Sequence, residues 1–102
     1  MNKVKEFISD FKANHKDSLE DVFSYGYCYW FAFILESRFE GKIYYNPVVN
    51  HFATRIGNHL YDITGEISRQ GFEDWEQFQK RDYLHTQRII RDCILKEIYT
   101  KE

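Results

Sequence analysis

The segment HFATRIGNHLYDIT, residues 51–64, constrains this chain more than any other. Two runs rich in β-branched and aromatic residues flank Gly57-Asn58, and a two-residue loop of that kind joins antiparallel strands into a hairpin. Gly57 suits the first position of a type II′ turn, with type I′ as the other option. So short a loop also fixes register. Ile56 then opposes His59, Arg55 opposes Leu60, Ala53 opposes Asp62 and Phe52 opposes Ile63. Alternation places Phe52, Ile56, Tyr61 and Ile63 on one face, an apolar set suited to a core, and His51, Ala53 and Asp62 on the other. His51 lies diagonal to Asp62, about 7–8 Å away between Cα atoms. Only a methyl group stands at the intervening Ala53, so an imidazole and a carboxylate can meet there.

Around this hairpin the pattern is mixed. Residues 28–39, CYWFAFILESRF, are apolar enough for a strand, but their length and the presence of Ala32, Leu35 and Glu36 favour a helix. Cys28, Phe31, Ala32, Leu35 and Phe39 share one face. Trp30, Phe33 and Ile34 widen the apolar surface over most of the circumference, which places this helix inside the domain, with Gly41 closing it. Lys42–Asn46 reads as a strand ended by Pro47. Val4, Phe7, Ile8 and Phe11 recur at helical spacing over residues 2–14. Ser18 can cap a short turn through Phe23, with Asp21 at the capping-box position, and Ser24-Tyr25-Gly26-Tyr27 reads as a tight connection. Beyond Gly65 the pattern predicts a short helix over 72–78 and a longer one over 81–99. The expected fold is α+β: a central helix that starts at Cys28, packed on a small antiparallel sheet.

With 102 residues the chain can build one core and is too short for a comfortable second, so residues 1–102 form a single expected domain. An aromatic content of 19% compensates for the short length, because each ring buries a large area. A net charge of −2, with both signs mixed along the chain, leaves no general footprint for nucleic acid, although Lys80, Arg81, Arg88 and Arg91 gather near one end. The first residues lack the apolar segment and cleavage site of a signal peptide, and the run CYWFAFIL is too short to span a bilayer. Cys28 and Cys93 sit far apart without a paired-cysteine motif. A cytoplasmic protein with reduced thiols and no membrane partner is expected.

The chemistry-bearing residues are Cys28, His51 and Asp62. A sulfur at the first turn of a helix sits near unpaired backbone N–H groups and the positive helix end, which favour thiolate. His51 can take the thiol proton and later return it to a leaving group, while Asp62 holds the other ring nitrogen. The backbone N–H of Cys28 is a natural oxyanion donor. Each residue also has a plainer reading: Cys28 as a packed small hydrophobe, His51 as a satisfied surface histidine, Asp62 as a strand-end or turn residue. The three together are competent metal ligands, but a fourth protein ligand or an open water position is not evident. Cys93, His15 and His85 have no ordered partners, His59 sits on the predicted core face beside the turn, and all four stay outside the site. No organic cofactor is implied.

The ordered features GYCYWFAFIL, NHF and YDITG resemble the core of papain-like and transglutaminase-like cysteine hydrolases and acyltransferases. The resemblance covers roughly residues 24–65. It implies Cys28 as nucleophile, His51 as general base and Asp62 as orienting acid, within a minimal papain-like/transglutaminase-like core. The upstream Gln of papain-like enzymes has no counterpart near Val22, and His51-Phe52-Ala53 replaces the transglutaminase His-Ala-Trp. So short a chain leaves little room for substrate-binding lobes. The implied substrates are therefore a small amide, a γ-glutamyl group, a peptide or one exposed protein side chain, through hydrolysis, deamidation or transamidation. The alternative expectation is a noncatalytic protein-binding adaptor on a degenerate fold of the same kind.

Overall fold

A computed structural model describes residues 2–13 and 28–91. Its elements are α1 (Lys3–Ala13), α2 (Cys28–Phe39), β1 (Lys42–Asn46), β2 (His51–Ile56), β3 (His59–Asp62), β4 (Gly65–Ile67), β5 (Glu73–Asp74), α3 (Trp75–Arg81) and α4 (Tyr83–Ile89). The five strands form one antiparallel sheet in the order β4-β3-β2-β1-β5. The architecture is α+β, helices packed against a small antiparallel sheet. The expected turn at 18–23, the connection at 24–27, His15 and Cys93 lie outside the described residues.

Register follows the hairpin loop. Ile56 pairs with His59, Arg55 with Leu60 and Thr54 with Tyr61. Gly57 has φ 64° and Asn58 does not take a positive φ, which is the type II′ pattern and not type I′. β1 pairs Tyr45 with Phe52 and Ile43 with Thr54, so Ile43, Tyr45, Phe52, Thr54, Ile56 and Tyr61 share the face beneath α2.

Two apolar clusters fill that face. Ala32, Ile43, Tyr45, Phe52, Trp75, Phe78 and Ile89 form one, against which Cys28 and Tyr29 pack. Val4, Ile8, Phe31, Leu35, Tyr61 and Ile63 form the other. Rings lie 4.7 Å apart for Tyr45–Phe52 and 4.9 Å for Phe52–Trp75. Aromatic contacts at such separations add about 0.5–1.5 kcal/mol each beyond area burial. Between the clusters, the buried Thr54 hydroxyl donates to the Ala32 carbonyl at 2.8 Å. This bond fastens the middle of α2 to β2.

Several expectations change. α2 is not enclosed: Phe33 is 47% exposed, because the sheet covers one side of the helix and α1 only part of the rest. A shallow groove of about 380 Å³ lined by Phe7, Phe33, Ile34, Ser37 and Arg38 runs along this open side. β3 stops at Asp62, and Ile63-Thr64 turn the chain into β4. Glu73 and Asp74 do not begin a helix but pair with Tyr45 and Tyr44 as β5. The Asp74 side chain then caps α3 by accepting from the backbone N–H groups of Glu76 and Gln77. The long helix expected over 81–99 is broken at Asp82, whose φ of −136° is not helical and whose carboxylate caps α4. Residues of that prediction beyond 91 lie outside the described residues.

Candidate functional site

Three local devices bring the candidate residues together. The first sets His51 at the start of β2. In the preceding turn, Asn46 Oδ1 accepts from the backbone N–H groups of Val48 and Val49 at 3.0 and 3.4 Å. Asn50 adopts φ 53° and accepts from the Tyr45 hydroxyl at 2.6 Å. Asn tolerates this left-handed conformation better than most residues, so the turn closes without a glycine.

The second device is the Asp62-Ile63-Thr64 turn. Asp62 Oδ1 accepts from Thr64 N–H at 2.8 Å and from the Thr64 hydroxyl at 2.5 Å. Its other oxygen, Oδ2, lies 2.8 Å from His51 Nε2. The turn reading and the histidine-orienting reading of Asp62 thus hold together, one on each oxygen. Ile63, wholly buried in the core, pins the turn from below.

The third device is α2, which starts at Cys28. Cys28 is half-buried against the first apolar cluster, and its influence on His51 is to raise the imidazole pKa. Phe72, which sequence reasoning did not place near the site, presents its ring to the imidazole at 6.1 Å and 73°. Thr64 was also missed, although Asp-x-Thr spacing is a known side-chain-to-backbone turn signal.

The electrostatics follow from these contacts. Hydrogen bonding to Asp62 first, then to Cys28, raises the His51 pKa from 6.5 to about 9, against an opposing contribution from burial. Burial pushes Asp62 upward, but hydrogen bonds from His51 and from the Thr64 side chain and backbone outweigh it, and the carboxyl stays below its usual 3.8. A pKa of about 9 favours the protonated imidazole at neutral pH, paired with the Asp62 carboxylate.

A pH dependence of stability follows. The raised His51 contributes stability that is fully present below pH 6.5 and lost as pH climbs through about 9. Allowing for partial solvent screening, the expected loss is about 2 kcal/mol. Asp62 acts in the other direction: its contribution is present above pH 3.8 and lost as pH falls below it. Urea unfolding at pH 6 and pH 9.5 measures the alkaline arm, which is expected to flatten in H51Q.

The other described histidines serve elsewhere. His59 pairs with Glu66 at 2.6 Å on the surface, and His85 lies 3.7 Å from Asp82. Among the described residues, no group of three or more His, Cys, Asp and Glu side chains is placed to hold a metal ion. Among them too, no helix is long and apolar enough to cross a membrane. A family model described as Phage YunG-like protein matches residues 3–97. No curated protein and no solved structure is matched by this chain.

Proposed function

We propose that this chain, which belongs to the Phage YunG-like protein family, carries out cysteine-dependent acyl transfer through Cys28, His51 and Asp62. The observation that carries the reading is His51 itself, held on Nε2 by a turn-anchored carboxylate, with its pKa raised by Asp62 first and by Cys28 second. Supporting it are the helix that begins at Cys28 and the antiparallel strands that bear the other two residues. On this reading the fold is a minimal papain-like/transglutaminase-like core working in a reducing, cytoplasmic compartment.

The chemistry divides into two half-reactions. Cys28 sulfur, as thiolate, attacks a carbonyl carbon and forms a C–S bond, and the carbonyl electrons move onto oxygen. The backbone N–H of Cys28 is the oxyanion donor within reach of that centre. As the tetrahedral intermediate collapses, the C–N bond breaks, and His51 gives its proton to the departing amine. Neutral His51 then takes a proton from water or from an acceptor amine, which attacks the thioester. Sulfur leaves as thiolate beside a reprotonated His51. Asp62 keeps the imidazole in one orientation throughout. Water as acceptor gives hydrolysis or deamidation; an amine gives transamidation.

The test is an acyl adduct trapped with an activated ester and located by peptide mass spectrometry. A thioester on Cys28 is expected at near-neutral pH, with none in C28A. Acylation spread over lysines with Cys28 untouched defeats the reading. That outcome would favour a noncatalytic adaptor, for which exposed Phe33 and its groove supply the apolar contact surface.

A further inference from the structure

We propose that Thr64 is a positioning residue for the candidate site, fixing which oxygen of Asp62 meets the imidazole. The inference rests on the acyl-transfer reading for its purpose, but the geometry behind it is independent of catalysis. Asp62 is 8% exposed, and a carboxylate so buried needs both oxygens satisfied. Thr64 occupies Oδ1 with two donors, its hydroxyl at 2.5 Å and its backbone N–H at 2.8 Å. Oδ2 is thereby reserved for His51 Nε2 at 2.8 Å. The plane of the carboxylate is set by the Oδ1 side, and the imidazole aligns to what remains.

Thr64 is itself exposed, at the turn between β3 and β4, and is not part of either apolar cluster. A change there alters the hydrogen bonding of Asp62 without opening a cavity. Thr64→Val keeps the branched shape and removes the hydroxyl donor, leaving only the backbone N–H on Oδ1. The carboxylate can then rotate about its Cβ–Cγ bond, and the imidazole loses its fixed partner. The charged or titratable groups facing His51 are Asp62 from β3 and Cys28 from α2. Phe72 on a further side brings no charge.

The test reads His51 directly. NMR titration of its ring is expected to show the midpoint in T64V lowered by about half a pH unit or more, with T64S close to wild type. T64A, a second variant without a hydroxyl, is expected to match T64V. Alkylation of Cys28 by iodoacetamide at pH 7 is expected to slow about threefold in T64V and to recover in T64S. An unmoved His51 midpoint in T64V and T64A overturns the role of Thr64, whatever Cys28 does. Ordinary-thiol reactivity of wild-type Cys28 with a shifted His51 midpoint overturns acyl transfer instead, and leaves Thr64 as the residue that controls the imidazole.

Discussion

His51→Ala is expected to slow iodoacetamide alkylation of Cys28 about tenfold at pH 6.5 while the fold is retained. An ordinary thiol is about 1% ionised at that pH, and a neighbouring imidazolium favours the reactive thiolate form. Part of that gain is returned, because a less basic sulfur is a weaker nucleophile, with a Brønsted slope of about 0.4–0.5. His51 is suited to this role because its hydrogen bond to Asp62 first, and the neighbouring Cys28 second, raise its pKa to about 9. A rate–pH profile of wild type beside H51A locates the effect, with the wild-type rate expected to stand above that of H51A on the acid side of neutrality. If wild type and H51A trace one curve, His51 does not activate Cys28.

Gly41→Ala is expected to cost about 3 kcal/mol of stability. A Cβ built at Gly41 falls 2.6 Å from the Arg55 carbonyl oxygen, 2.7 Å from Thr54 Cγ2 and 2.9 Å from Ile56 Cγ1. The first obstacle is strand backbone and the second belongs to a wholly buried residue, so neither yields by a rotamer change. Relief requires β1 and β2 to part where α2 hands over to the sheet. For a domain of this size the expected fall in Tm is about 15 °C. Differential scanning calorimetry measures it, and a shift below 3 °C shows that the strands can separate without loss. The change also pulls on the Thr54–Ala32 bond, so Cys28 alkylation is expected to slow along with it.

Much of the fold was legible because its strongest signals are local. Gly57-Asn58 fixed the hairpin register, and with it the diagonal placement of His51 and Asp62 across Ala53. The apolar run from Cys28 to Phe39 is helical throughout and α2 ends at Phe39 as expected. The departures arise where a distant partner decides the outcome. Glu73-Asp74 carries no strand propensity, yet pairs with β1 because that edge is open and Asp74 can cap the helix that follows. Asp82 breaks the expected helix because its carboxylate finds His85 N–H, a capping choice that periodicity does not register. Ala53, assigned by alternation to the face away from the core, is nevertheless fully buried. Alternation gives the face of a side chain but not what covers it. At the site, Phe72 arrives from a separate loop and left no trace in sequence spacing.

The neighbour-by-neighbour order of the sheet bears on how a reactive sulfur comes into being. His51 and Asp62 are eleven residues apart and meet within one hairpin, the kind of unit that assembles in microseconds. Cys28 stands on α2, so its approach to that pair requires contacts between more distant parts of the chain. On the proposed acyl-transfer reading, the sulfur gains its imidazole partner only in a chain whose helix and hairpin have docked.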